Sequence, residues 1–570
     1  MALQGPNPKM KRIFLSLLLL CLLSPHSVRP QPLKIPDELS RYYKNLPFSM
    51  QPIAVPEFPQ RSVSIAEFGA VPDGITMNTT AFAEAIASCA RSGGGTVVVP
   101  PGAWLTGPIR IESNINLHIE RGALVQFSRR IEDFPLVQGL DGKSRRWIIT
   151  PPLSAFKARN IAITGAGIID GNGDAWRYVK RYKLTPQQWS DLIASGGVVS
   201  ADSSEWWPSM EAMEGAEYLK QRASSGKPLS RDDYAHVREF IRPDLVILQE
   251  CSGVLVDGVT IQNSPRFHLR PSQSENIIIR NVSIRCPWYA QNGDGLDPAS
   301  CRNLLIYNTT VDVGDDGLCL KPGALGENQK PGPACENIMI IDCTVYHAHG
   351  GFVIGSESYG GVNNVFVRNC VFSETDVGLR FKSYRGNGGL VQNVYIDGIQ
   401  MRGIATDAIL FDMYYAGNSP DVEARKDPAS HTALPVTERT PRFQNFSIKN
   451  VVCTGAARGM LINGLPEMPV LNIAFDNVSI SSREGAVLAD AEGITFSNCR
   501  IAPETGPAVK IIQSRSVSIE GGTYGGARVV LSVHGERSGN IHLVGISAAD
   551  VSGAVELGAG VKPDVIVREK

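Results

Sequence analysis

Four short clusters of charged residues recur between Asn292 and Ser383: NGDGLDP at Asn292–Pro298, GDDGLCLKPG at Gly314–Gly323, HAHGGFVIGSE at His347–Glu357 and LRFKS at Leu379–Ser383. Asp294, Asp315 and Asp316 offer the paired carboxyls that glycoside hydrolysis requires, one protonated to release the leaving group and one ionised to activate water or attack carbon. Crowding is expected to raise at least one of their pKa values, which yields the proton donor. For Asp297 the adjacent Pro298 suggests a turn carboxylate instead. His349 stands between Ala348 and Gly350, small neighbours that let a substrate approach the backbone, whereas His347 reads as a structural partner. In LRFKS a period of two places Leu379 and Phe381 on one face and Arg380 and Lys382 on the other. Two cations projecting together beside an acidic site suit the clamping of a substrate carboxylate. Farther on, LFDMYYAGN supplies Tyr414 and Tyr415, one expected to hydrogen-bond a sugar and the other to pack.

A repeat must position these clusters. Asp294 and Asp315 lie 21 residues apart (315 − 294), a spacing that places them on neighbouring coils of a solenoid. Adjacent strands are about 4.8 Å apart, so such coils would gather the clusters into one surface patch. From about residue 160 one phrase recurs: Asn or a small residue, alternating apolar positions, a turn residue, then a second short apolar run. NIIIRNVSI from Asn276, NLLIYNTTV from Asn303, NIMIIDCTV from Asn337 and NVFVRNCVF from Asn364 are instances, and later copies continue to Asn540. Period-two alternation with β-branched residues argues for strands, and the Asn, Asp and Gly between runs argue for turns. Each repeat is too short to bury its own apolar face and must stack on the next. The expected fold is all-β, a right-handed parallel β-helix over residues 61–570. Propeller blades, at about 40–50 residues, are longer than this repeat.

Outside the repeat, residues 1–31 carry Lys9, Lys11 and Arg12 before an apolar run from Ile13 to Leu23, the layout of a secretory signal. A secreted or periplasmic protein with no stable membrane span is expected, the apolar run being short for one. Cys21 would suit a lipoprotein signal, but Leu20 before it is not small. Residues 32–60 read as a Pro-rich lead-in, and NTTAFAEAIASCARSGGG from Asn78 as a helix capping the first coil. An inserted helical and loop segment at about 170–245 holds Trp176, Trp189, Trp206 and Trp207 with Arg177, Lys180, Arg181 and Lys183. It reads either as a packed excursion or as a cleft wall whose aromatic faces meet sugar rings. The formal net charge of −1 gives no sign of a nucleic-acid partner. Of the eleven cysteines, Cys343, Cys370 and Cys499 fill equivalent places in the repeat and Cys453 a related one, which suggests a buried ladder. No CxxC pair or His-rich spacing supports a metal site.

The four clusters, taken in order, resemble the motifs of glycoside hydrolase family 28, the polygalacturonases and their relatives. Asn-Thr-Asp, Gly-Asp-Asp, Gly-His-Gly and Arg-x-Lys appear as Asn292-Gly293-Asp294, Gly314-Asp315-Asp316, Ala348-His349-Gly350 and Arg380-Phe381-Lys382. Gly293 and Ala348 depart from the pattern, both small residues beside the chemistry. The resemblance spans about Ser62 to Gly417 and implies an inverting mechanism on a right-handed parallel β-helix. It implies Asp315 as general acid, Asp294 and Asp316 as the groups that position and deprotonate water, and His349 as the keeper of the acid's protonation. It also implies Arg380 and Lys382 as ligands of the galacturonate carboxylate, and Tyr414 as the substrate-binding tyrosine. No metal or organic cofactor is implied.

The insertion and the forms HAHGGFVIGSE and GLRFKSYRGNGG look most like bacterial exo-acting members, whose extra loops close one end of the groove. The expectation is therefore a monomeric exo-hydrolase acting on pectic polysaccharide or oligogalacturonides, with rhamnogalacturonan as the alternative substrate. Two other classes compete: a Ca²⁺-dependent pectate or rhamnogalacturonan lyase, and a non-catalytic pectin-binding β-helix. Neither accounts for four clusters in this order.

Overall fold

The computed structural model describes residue 1 and residues 37–140, 142, 144, 146–323, 332–415, 432–525, 529–546 and 555–569. The secretory signal expected over 1–31, apart from Met1, and Cys21 within it lie outside the described residues. The recurring phrase forms strands that pair in parallel with the strand one coil away, building a right-handed parallel β-helix. One inward row shows the register: Ile277 pairs with Leu304, Leu304 with Ile338, Ile338 with Val365 and Val365 with Val394. The row continues through Phe446, Ile473, Ile494 and Val517 to Ile541. These side chains are buried in one continuous core, so each coil covers the apolar face of the next.

The Asn that opens the phrase has a double task. Asn276, Asn303, Asn337 and Asn364 all adopt left-handed backbone, φ between 54° and 57°, which Asn tolerates better than other side chains. Their amides also stack, Asn303 donating to Asn276 at 3.1 Å, Asn337 to Asn303 at 3.2 Å and Asn364 to Asn337 at 3.0 Å. Every cysteine among the described residues is buried and free. Cys343, Cys370 and Cys499 each donate Sγ–H to the carbonyl two residues back, at 3.3–3.4 Å, so their equivalence is real. Cys453 stands in another row, between Met401 and Ile480.

The helix Thr79–Arg91 buries Ala81, Phe82, Ala85, Ile86 and Cys89, and closes the first coil. Residues of the lead-in cross the outside of the sheet: Leu39, Tyr42, Met50 and Ile53 cover Ile278, Leu305 and Met339. This explains why several repeats carry unbroken apolar triplets, since the outward middle residue is buried as well. Between Asp170 and Val246 the coil is interrupted by the helices Pro186–Ala194, Met210–Ser224 and Arg231–His236. The two outer helices have full capping boxes, from Thr185 with Gln188 and from Ser230 with Asp233. Arg177 ties the segment to the coil by donating to Ser264 O at 2.6 Å and to Asn263 Oδ1 at 2.8 Å.

Candidate active site

The four clusters meet on one face because their strands are consecutive rungs. Leu296 bridges to Leu318, Leu318 pairs with Phe352, and Phe352 with Leu379, a row of buried side chains pointing inward. The neighbouring positions then face out, so Arg380 stands beside Val353, and Val353 beside Cys319. As the alternation in LRFKS requires, Leu379 and Phe381 are fully buried in the core.

Asp294, Asp315 and Asp316 each place a carboxylate oxygen within 4.8 Å of the other two. Cations occupy the space around them. Lys382 Nζ lies 2.7 Å from Asp316 and Arg380 Nη1 3.3 Å from it, while Lys321 Nζ lies 3.1 Å from Asp294. A divalent cation could reach three carboxylates here, yet their charge is already balanced by these ammonium and guanidinium groups. Asp315 accepts three hydrogen bonds, from His349 Nδ1 at 3.0 Å, from Asp316 N at 3.0 Å and from Asn292 N at 3.2 Å.

Environment sorts the carboxyls. Burial pushes Asp294 well above the usual range, helped by Asp297, Asp315 and Asp316 and opposed by Lys321. Burial lifts Asp297 to about 7. For Asp315 burial is the largest single influence and acts upward, but His349 and Lys382 together outweigh it and the carboxyl is held low. For Asp316 the upward push of burial is outweighed by Lys382, Arg380 and Lys321. Asp315 alone of the carboxylate trio keeps a sizeable exposed face, 17 % of its side chain against 3 % and 2 % for Asp294 and Asp316.

The profile of glycosyl hydrolases family 28 matches residues 232–499, the segment that carries this site. The chain is 27 % identical over 464 residues to an exo-poly-α-D-galacturonosidase of Dickeya chrysanthemi, covering 77 % of this chain and 71 % of that one. It is 26 % identical over 462 residues to a probable polygalacturonase of Vitis vinifera, covering 78 % and 81 %. A hyperthermoactive exopolygalacturonase from Thermotoga maritima superposes with a TM-score of 0.65 at 29 % identity, over 79 % of this chain and 93 % of that one.

The chain thus matches glycosyl hydrolases family 28 over residues 232–499, and its relatives and fold agree with that match. It is a glycoside hydrolase. Of the two departures from the motifs, Gly293 has a visible cause. A Cβ at Gly293 would press on Ala290 O at 3.1 Å and Ala290 Cβ at 3.2 Å, and Ala348 is buried.

Tyr414 is not where a substrate-binding tyrosine has to be. It is 0 % exposed, packed in the core with the Arg385 guanidinium 5.0 Å over its ring. Its N–H donates to Asp412 Oδ1 at 3.0 Å, a turn that ends the alternation of the strand Asp407–Asp412 and swings Tyr414 inward. Tyr415 is the one at the site, with Lys382 Nζ 4.7 Å and Arg380 5.5 Å from its ring centre. The insertion's tryptophans mostly pack internally: Trp176, Trp189 and Trp206 are buried, and Trp207 stacks on Tyr178 at 4.1 Å. The exposed aromatics near the cleft are Tyr182, at 72 %, and Trp288, at 49 %. His347 pairs with Asp312 at 3.0 Å and Glu374 at 3.3 Å, away from the carboxylate trio.

Three further residues stand at the site: Lys321, Asp297, which the sequence suggests as a turn carboxylate, and Lys183, which it offers only as one basic residue of the insertion. Lys321 contacts Asp294 and also lies 3.6 Å from Asp297 and 4.0 Å from Glu357. Asp297 is fully buried beneath the trio. Lys183, from the insertion, reaches His349 Nε2 at 3.3 Å. The signal for Lys321 was the alternation of LCLK, which puts Leu318 and Leu320 in the core and Cys319 and Lys321 on the outward face.

Proposed function

We propose that this enzyme hydrolyses α-1,4-galacturonosidic bonds of pectic polymers with inversion, releasing galacturonic acid from the non-reducing end. The observation that carries the reading is the junction of a carboxylate trio with Arg380. Its Nη1 is tied to Asp316 and to His349 O, which fixes the guanidinium beside the trio with 16 % of the side chain exposed. A galacturonate carboxylate pairs with that exposed part of the cation. Lys382, held at 2.7 Å by Asp316, adds charge from behind. The exo-acting names of the Dickeya and Thermotoga relatives support attack at chain ends.

Asp315 is the general acid of this reading because its open face meets the substrate. In the empty site it is ionised by its three donors. A bound galacturonate brings negative charge and displaces water, and both raise the carboxyl's affinity for a proton. The proton is thus loaded as the substrate arrives, while Asp294 and Asp316 hold the attacking water and Asp316, kept ionised by its cations, takes its proton; the three carboxyls come within 4.8 Å of one another, closer than is usual for inverting pairs, so inversion here rests on the resemblance to family 28. His349 donates to Asp315 and sets its orientation. Export as a monomer acting on pectic oligosaccharide or polymer completes the reading. No helix among the described residues is long and apolar enough to cross a membrane.

The test is a product time course on de-esterified polygalacturonate in the presence of chelator. Saturated galacturonic acid from the first time point is expected. A ladder of oligomers would mean endo attack, and unsaturated products absorbing in the ultraviolet would mean a lyase.

A further inference from the structure

Lys183 is a buried ammonium, 3 % exposed, with no carboxylate within 4.0 Å among the described residues. Burying a charge without a counter-ion is costly, and an apolar side chain would fill the same space more cheaply. What the ammonium does instead is use all three of its N–H donors. It donates to Trp288 O at 3.1 Å and to Gly314 O at 3.0 Å, and its third contact is His349 Nε2 at 3.3 Å. The ring of Trp288 covers it, 5.0 Å from Nζ. Gly314 directly precedes Asp315 and Asp316, so one side chain grips both the turn that carries two carboxylates and the ring that faces them.

We propose that Lys183, in the inserted segment, is a positioning residue that fixes His349 in the tautomer whose Nδ1–H faces Asp315. The argument is one of donor and acceptor count. An ammonium has donors only, so the ring nitrogen it meets must be the lone-pair nitrogen. Nε2 is therefore unprotonated and Nδ1 carries the hydrogen, which points at Asp315 Oδ1 3.0 Å away. The other charged groups around the ring do not fix that choice: Asp376 Oδ2 lies 3.7 Å from Nε2, and Arg380 binds the backbone oxygen of His349. Asp376 by itself would draw a proton onto Nε2, and the ammonium beside it opposes this. The inserted segment thus acts on the chemistry itself. This inference rests on the reading of Asp315 and His349 as the acid and its partner.

The test uses the full chain labelled with ¹⁵N in its histidine rings, with His349 assigned by the signal missing from His349→Gln. The wild-type ring is expected to show a protonated Nδ1 and a bare Nε2, and Lys183→Met is expected to lose that pattern. On polygalacturonate Lys183→Met should lower kcat roughly 10- to 100-fold, less than the 10²–10⁴-fold of a directly acting acid or base, with KM nearly unchanged. Lys183→Arg, which keeps a donor, should retain both the ring pattern and most of kcat. A wild-type ring protonated on Nε2 overturns the proposal, and so does a Lys183→Met ring identical to wild type. Should Lys183→Met fail to fold, the wild-type ring pattern decides. A wild type that releases no galacturonate but shows the expected ring behaviour would refute the proposed function and leave the positioning role standing.

Discussion

Replacing Lys321 by Met should damage stability and turnover together, and the damage should depend on pH in a specific direction. The ammonium is buried and lies 3.1 Å from Asp294, 3.6 Å from Asp297, 3.9 Å from Asp316 and 4.0 Å from Glu357. Methionine fills the volume and leaves those carboxylates without their shared cation. Breaking a buried charge cluster by deleting one partner costs roughly 3–5 kcal/mol. Spread over a cooperative unit of about 500 residues, at about 2.1 cal/mol/K per residue, that is a fall of roughly 3–5 °C in the unfolding midpoint, and more if a smaller block of coils melts first. Burial already pushes Asp294 well up and Asp297 to about 7, and loss of Lys321 pushes both further.

These carboxyls hold protons in the folded protein that they release on unfolding, so stability falls as pH rises from the unfolded carboxyl value, about 3.9, through the raised folded values. Below pH ~4 they are protonated in both states, and the difference between variant and wild type should shrink. Calorimetry of both proteins at pH 4 and pH 7 reads this directly. An unchanged midpoint at pH 7, or an equal deficit at both pH values, would refute the reasoning. With the cation gone from 3.1 Å of Asp294 and 3.9 Å of Asp316, the water they hold is mispositioned and kcat should fall at least about 100-fold.

Loading of Asp315 by substrate predicts that the alkaline limb of kcat, which reports the complex, lies at higher pH than that of kcat/KM, which reports the free enzyme; coincident limbs would contradict it. Tyr415→Ala should raise KM with little change in melting, whereas Tyr414→Ala should cost roughly 3–5 kcal/mol of stability as a buried aromatic truncation, and thermal unfolding beside steady-state kinetics separates the two. Asn337→Ala removes a left-handed residue and the middle of the amide stack, and should lower stability by about 1–3 kcal/mol without altering KM; an unchanged melting curve would count against the ladder.

The sequence made the coil legible because register leaves local traces. Alternation in LRFKS placed Leu379 and Phe381 inside and Arg380 and Lys382 outside, and the repeated Asn marked each turn. Contacts that depend on neighbouring rungs were harder to read. Lys321 and Asp297 sit among Pro and Gly that suggest simple turns, and only the pairing of Leu296 with Leu318 places them on adjacent outward rows. Lys183 lies 166 residues before His349, in a segment with no repeat to fix its register. Tyr414 and Tyr415 differ by one position, and the turn at Asp412 reverses which of them faces out. The tryptophans of the insertion were as compatible with a small core as with a sugar platform, and burial decided for the core.

Water attacking with inversion from a site that holds Asp294, Asp315 and Asp316 leaves an anomeric signature. Proton NMR of a polygalacturonate digest within the first minutes, before mutarotation, tests it most directly. Saturated galacturonic acid is expected to appear first as the β-anomer, with no such signal from Asp315→Asn. An α-anomer appearing first, unsaturated sugars, or full activity in Asp315→Asn would contradict it.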